Sequence, residues 1–92
     1  MRAKIDKKRT GKRIGYLMKV NHYDPLRLQD ALGLSCVQTI YKWLAGKSLP
    51  SLETLYSLSS LFCVNVDSLL VGNKEALYLK KINEDNDPAS FE

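Results

Sequence analysis

The stretch between residues 36 and 48 contains the polar side chains best placed to recognise another molecule. Gln38 and Lys42 are four residues apart, so on a helix they lie one turn apart and point the same way. A Gln amide donates and accepts hydrogen bonds, whereas a Lys ammonium only donates them. This pair is therefore suited to recognise hydrogen-bonding groups of another molecule, and not to make or break covalent bonds.

Residue types that carry catalysis or bind metal ions are sparse. His22 is the only histidine, and it lies at a predicted helix break with no patterned Ser or acidic partner. The cysteines, Cys36 and Cys63, lack the spacing of metal ligands, so we expect two reduced thiols; a disulfide or metal site is the alternative. The sequence contains no glycine-rich loop of the kind that binds phosphate. The sequence predicts no enzyme, no cofactor, no metal site and no small-molecule ligand.

Length and composition predict one small folded domain. The chain has 92 residues, of which 45% are hydrophobic and 26% charged. No apolar run approaches the roughly 20 residues that cross a membrane. The basic N-terminus lacks the apolar segment of a secretory signal. We therefore expect a cytoplasmic protein with no membrane partner.

The charge is divided unevenly along the chain. Residues 1–50 carry eleven Lys or Arg against three acids, a formal charge of +8. Residues 51–92 carry three against seven, a formal charge of −4. The first part should attract polyanions. A solvated basic arm and an acidic tail kept for solubility are the alternative explanation.

The hydrophobic pattern predicts five helices joined by short turns, so the fold class is all-α. Each helix has a start signal: Thr10, Asp24 with Pro25, Ser35 or Cys36, Ser51, and Asn65. The second helix ends at Gly33, the third at about Ala45, and the fifth before Gly72. Apolar residues at helical spacing are the predicted core: Ile14, Leu17, Met18, Leu28, Leu32, Leu52, Leu55, Leu58, Phe62, Val66, Leu69 and Leu70.

The predicted third helix has two different faces. At 100° per residue, Ile40, Trp43 and Leu44 share one apolar side, and Gln38 and Lys42 lie opposite. The apolar side should dock on the other helices and leave the polar side exposed. Two short helices joined by a glycine-containing turn match the helix-turn-helix unit, whose second helix enters the DNA major groove. An ordinary solvated helix face is the alternative.

The sequence resembles the phage-repressor and Cro-type helix-turn-helix family, also called the XRE family. The similar segments lie within residues 10–71 and read TGKRIGYLM, LQDALGLS, TIYKWLAGKSLPSLETLYSLSSLF and VNVDSLL. An Ile-x-x-Trp-x-x-Gly step and a following Pro-Ser-Leu-x-x-Leu step fall at the family spacing. The resemblance implies a five-helix, lambda-repressor-like domain that binds double-stranded operator DNA, usually as a homodimer.

The resemblance also assigns roles by position. Base reading falls on residues at the start and on the polar face of the third helix: Val37, Gln38, Thr39, Tyr41 and Lys42. A Gln side chain pairs well with adenine, and Lys donates to guanine. Phosphate contacts fall on Lys47 and Ser48 after the helix, and near Pro25 and Leu26 at the start of the second helix.

This chain departs from the family pattern at several positions. Pro25 stands where relatives often have a phosphate-binding Gln, and Val37 stands where a polar reader is common. The segment from Gly33 to Ile40 is one residue longer than the commonest pattern. Many relatives have a buried Arg–Glu pair where this chain has Met18 and Leu44. We predict that these two side chains pack on each other.

The predicted chain organisation has three parts: a basic N-terminal arm at residues 1–9, the helix-turn-helix domain at residues 10–73, and a C-terminal extension at residues 74–92. In the arm, Lys7, Lys8 and Arg9 are expected to contact DNA phosphates. An extended strand with Ile5 inward is the alternative. The extension carries the apolar residues Leu77, Tyr78, Leu79 and Ile82. They form either a dimerisation segment or a tail laid on the surface, followed by an acidic end.

Together these observations predict a sequence-specific transcriptional regulator, of repressor type, associated with the nucleoid. The alternative is an antitoxin or adaptor-type protein-interaction module on the same fold, which grips a partner through its apolar tail.

Overall fold

The computed structural model describes residues 2–74, and the fold in this part of the chain is all-α, as predicted. Its five helices are α1 (Lys7–Val20), α2 (Pro25–Leu32), α3 (Gln38–Leu44), α4 (Leu52–Phe62) and α5 (Val66–Leu69). Among residues 2–74, no helix is long and apolar enough to cross a membrane. The predicted apolar segment at residues 77–82 lies outside the described residues.

The first helix begins about one turn earlier than predicted. Asp6 is the N-cap of α1, and its carboxylate accepts a hydrogen bond from the backbone N–H of Arg9 at 3.0 Å. Thr10, the predicted cap, is fully buried inside the helix. Its hydroxyl accepts from the N–H of Val71 at 3.0 Å and donates to the carbonyl of Val71 at 3.2 Å. The prediction was wrong because a Thr hydroxyl can form hydrogen bonds with a distant backbone segment as well as with the N–H groups at a helix start. Residues 7–9 therefore belong to α1.

The second and fourth helices begin where predicted because their signals are local. The carboxylate of Asp24 accepts from the N–H of Arg27 at 2.8 Å, and Pro25 follows at the first helical position. The hydroxyl of Ser51 accepts from the N–H of Thr54 at 3.2 Å. Leu52 was wrongly predicted to be in the core, because it lies on the outer side of the first turn of α4 and is 78% exposed.

The third helix is shorter than predicted. It begins at Gln38, after the N-cap Val37, whose side chain makes no capping hydrogen bond. Ser35 and Cys36 lie in the preceding turn. The helix ends at Leu44, and the chain turns at Gly46, where φ is +73°. Glycine adopts this left-handed conformation without steric cost.

The helices enclose one hydrophobic core. Its fully or nearly fully buried members are Ile14, Leu17, Met18, Leu28, Ile40, Trp43, Leu55, Leu58, Phe62 and Leu69. Leu32, Leu44, Val66 and Leu70 are partly buried and pack against it. Most of the predicted core residues therefore have the predicted position.

The two ends of the domain are joined by backbone hydrogen bonds between residues 2–6 and residues 71–73, which we call the terminal clasp. Ile5 pairs with Gly72 in an antiparallel bridge, and the N–H of Asp6 donates to the carbonyl of Val71 at 2.7 Å. The N–H of Asn73 donates to the carbonyl of Lys4 at 3.1 Å. The backbone of the N-terminal segment is thus extended. The Ile5 side chain is not inward, because it is 47% exposed.

Candidate nucleic-acid interface

Helix α3 presents a polar surface because its apolar residues are held in the core. Ile40 is fully buried and Trp43 is 3% exposed. On the opposite side, Gln38, Tyr41 and Lys42 are exposed, and we call these three residues the α3 face. Tyr41 keeps 54% of its surface accessible. The α3 face is therefore free to contact another molecule without disturbing the core.

Two other predicted base-reading residues lie at the edge of this face. Val37 and Thr39 are both half-buried at the start of α3. Val37 has an apolar side chain, and its backbone carbonyl already accepts from Ile40 and Tyr41. Thr39 directs its hydroxyl at the Sγ of Cys36, 3.4 Å away. Their surroundings thus leave less surface for a ligand than those of Gln38 and Lys42.

Helix α3 is set against α1 by direct backbone contact. A Cβ atom at Gly11 would overlap the carbonyl oxygen of Trp43 and lie 3.2 Å from the carbonyl oxygen of Leu44. One turn later, a Cβ atom at Gly15 would lie 3.3 Å from the Cδ2 of Leu44. Only a residue without a side chain fits at Gly11 while α3 keeps this position. The glycine therefore fixes how far α3 stands from α1.

The same packing brings the start of α1 to the end of α3. A Cβ atom at Gly46 would lie 2.7 Å from the Cγ and 2.8 Å from the Cα of Lys8. Lys47 follows Gly46 directly, and its N–H donates to the carbonyl of Lys42 at 2.9 Å. Two exposed lysines from distant parts of the sequence, Lys8 and Lys47, thus belong to one surface region next to the α3 face.

The other predicted phosphate-binding residues are distributed differently. Ser48 is half-buried in the loop after Lys47, and Lys7 is exposed in the first turn of α1. Arg9 is also exposed, but it lies about 160° around α1 from Gly11, the residue that faces α3. The structure therefore brings Lys8 to the end of α3 and places Arg9 on the far side of α1.

The start of α2 is a poor anion site. The Asp24 carboxylate already accepts the N–H of Arg27, so a phosphate near Pro25 or Leu26 would approach a negative charge. The Arg27 guanidinium donates to the carbonyl of His22 at 3.0 Å and lies 6.0 Å from the centre of the Tyr23 ring. These contacts tie Arg27 to the turn before α2.

Met18 and Leu44 occupy neighbouring parts of the core. Met18 is 4% exposed, and Leu44 is half-buried and packs against the core from its edge, next to Gly15. Because Leu44 keeps contact with solvent, a charge at this position would be less costly than one in the interior. The direct contact between the two side chains stays a prediction.

The turn before α3 contains a thiol with a lowered pKa, which the sequence did not indicate. Cys36 is exposed. The hydrogen bond from the Thr39 side chain, further backbone hydrogen bonds and the charge of Lys42 lower the pKa of this thiol below its ordinary value. The spacing of a cysteine three residues before a Thr at a helix start is the signal that would have revealed it. In residues 2–74, no three His, Cys, Asp or Glu side chains come together as metal ligands.

In comparisons with known proteins, no family model, no curated protein and no solved structure matches this chain.

Proposed function

We propose that the protein is a sequence-specific DNA-binding transcriptional regulator, a repressor that reads the major groove of operator DNA with α3. The observation that carries this proposal is the geometry of α3. Its buried Ile40 and Trp43 anchor one side, whereas the amide of Gln38 and the ammonium of Lys42 are exposed together on the other. Paired donors and acceptors on one side of a short helix are what base edges in a major groove require.

Phosphate contacts follow from the cations beside this helix. Lys8 and Lys47 lie next to the end of α3, and Lys7 and Ser48 lie close to them in sequence. Contacts from Lys to phosphate fix the position of a protein on DNA and contribute affinity without reading sequence. In this proposal Lys8 and Lys47 hold the DNA backbone while the α3 face reads bases, in the cytoplasm on nucleoid DNA.

The experiment is selection of bound sites from random double-stranded DNA, followed by affinity measurements over a series of salt concentrations. Each lost phosphate contact should reduce the slope of log affinity against log salt by about 0.9. We expect that reduction for Lys8→Ala and for Lys47→Ala. The matched control is Arg13→Ala, which removes the same charge from the far side of α1 and should leave the slope unchanged. Absence of any selected sequence would contradict the proposal.

We also propose that the regulator binds DNA as a homodimer paired through α5 and the adjoining part of α4. An exposed apolar patch supports this: Leu52 and Tyr56, one turn apart on α4, are 78% and 75% exposed and lie beside Val66 of α5. Two copies would bind half-sites about one DNA turn apart. Light scattering of the full chain and of Leu52→Ser/Tyr56→Ser tests it, since a monomer even on DNA would contradict pairing.

The same patch favours a second candidate function, a protein-interaction module such as an antitoxin or adaptor. Exposed apolar patches mark contacts between proteins, whatever the partner. Retention on DNA at low salt separates the two functions, because a steep loss of binding with added salt is expected only of the DNA-binding regulator.

A further inference from the structure

A cationic cleft lies on the side of α1 that faces away from α3. It has a volume of about 650 Å³ and is formed by the N-terminal segment, α1, α5 and the residues after α5. Four of its lining residues carry positive charge: Lys4, Arg9, Arg13 and Lys74. Asp67, the only acid among the lining residues, pairs with Lys74. Within residues 2–74 no ion pair engages Arg9 or Arg13.

The cleft is separate from the proposed DNA-reading surface. Gly11 marks the side of α1 that contacts α3, through the backbone of Trp43. At 100° per residue, Arg9 and Arg13 each lie about 160° from Gly11 in opposite senses around the helix. Phosphates of DNA bound at α3 would therefore not neutralise the positive charge of these two guanidinium groups.

The walls of the cleft are held in place by the terminal clasp and by side-chain hydrogen bonds beside it. The side-chain amide of Asn73 accepts from the N–H of Lys4 and donates to the carbonyl of Arg2 at 3.3 Å. The buried hydroxyl of Thr10 makes two hydrogen bonds to Val71, which lines the cleft. A site whose walls are already ordered loses little conformational entropy when a ligand binds.

The sequence supplies an anionic segment a short distance along the chain from the cleft residue Lys74. Residues 75–92 follow Lys74, itself a lining residue, in the sequence. Residues 84–92 contain four carboxylates and no Lys or Arg, and they include one aromatic residue, Phe91. The ten residues from 75 to 84 span at most about 36 Å when extended, which is ample for a return to the cleft. A tethered segment also experiences a local concentration on the order of millimolar.

We propose that the cleft binds the acidic C-terminal segment, residues 84–92, of the same chain. Its carboxylates pair with Arg9 and Arg13, whose planar guanidinium groups suit two-point contacts with carboxylate. Phe91 has an apolar counterpart in Ile5, Leu70 and Val71 of the cleft wall. The docked segment neutralises the positive charge on this side of α1, so that polyanions are attracted mainly to the α3 side. This docking does not depend on whether α3 binds DNA.

The test uses the full chain with a single thiol at its end. Glu92→Cys carries a spin label, and Cys36→Ser with Cys63→Ser removes the other two thiols, both of which are exposed. At low salt we expect the backbone amide NMR signals of the cleft residues Ile5, Arg9, Arg13 and Val71 to lose most of their intensity. At 1 M salt, where screening acts over about 3 Å, the signals should recover.

Two pairs of substitutions locate the docking site. Arg9→Gln/Arg13→Gln should abolish the loss of intensity. Lys12→Gln/Lys19→Gln removes two charges from the same helix, outside the cleft lining, and should preserve the loss. Unbroadened cleft signals at low salt would overturn the proposal, and so would broadening centred on the α3 face. A mixed sample, in which some copies carry only the spin label and others only the isotope label, reports contacts between copies. If the broadening is entirely of this kind, a second copy occupies the cleft and the proposal is overturned.

Discussion

Replacing Gly11 by Ala tests whether the backbones of α1 and α3 are in direct contact. The added methyl group would overlap the carbonyl oxygen of Trp43 and lie 3.2 Å from that of Leu44. Both oxygens belong to the backbone, so no change of rotamer relieves the overlap. Helix α3 must instead move away from α1 by roughly 1 Å to restore normal contact distances.

The expected cost follows from two opposing effects. Overpacking of this kind costs about 1–3 kcal/mol. Alanine recovers at most about 1 kcal/mol of that, because it favours helix over glycine. We therefore expect a net loss of up to about 2 kcal/mol in the free energy of unfolding. Any DNA affinity should fall as well, since Gln38 and Lys42 move with α3.

The matched control is Gly15→Ala, one turn further along the same side of α1. Its methyl group would meet only the Cδ2 of Leu44, at 3.3 Å, and a side chain can adjust where a backbone cannot. The free energy of unfolding should change little or rise by up to about 1 kcal/mol. The assay is urea unfolding followed by fluorescence of Trp43, the only tryptophan and 3% exposed. Equal stability of the Gly11→Ala and Gly15→Ala chains would refute the close approach.

Three further predictions concern single side chains. Thr10→Val should lower the free energy of unfolding by about 1–3 kcal/mol, because the N–H of Val71 loses its partner; an unchanged urea midpoint would contradict this. Cys36 should react with iodoacetamide faster near neutral pH in the unaltered chain than in Thr39→Val, because the hydrogen bond from Thr39 lowers its pKa and thiolate is the nucleophile. An unchanged rate at Cys36 in Thr39→Val would count against the hydrogen bond. Leu44→Glu should lower the free energy of unfolding by about 1–3 kcal/mol, since the residue is half-buried at the edge of the core. An unaltered melting temperature would show that the Leu44 side chain does not pack against the core.

The parts of the fold that local signals determine were predicted correctly. Asp24 with Pro25, and Ser51, each act within one helical turn, so the starts of α2 and α4 follow directly from the sequence. The Ile40 and Trp43 side of α3 was equally predictable, because helical spacing alone defines it.

The features that were not predicted correctly depend on contacts between residues far apart in the sequence. The role of Thr10 follows from its hydrogen bonds to Val71, 61 residues away, and no local pattern indicates that partner. The proximity of Lys8 to Lys47 likewise depends on how tightly α1 and α3 pack. Glycines at positions 11 and 15, four residues apart on one helix, were the available sign of a close helix pair.

The most direct test of the central claim, that α3 reads DNA sequence, is affinity on a selected duplex and on a scrambled duplex at one salt concentration. Gln38→Ala and Lys42→Ala should each weaken binding to the selected duplex by about 1–3 kcal/mol and leave the scrambled duplex almost unaffected. Lys47→Ala, the matched control beside the helix, should weaken both alike. If the Gln38 and Lys42 substitutions weaken both duplexes equally, α3 does not read sequence and the central claim is wrong.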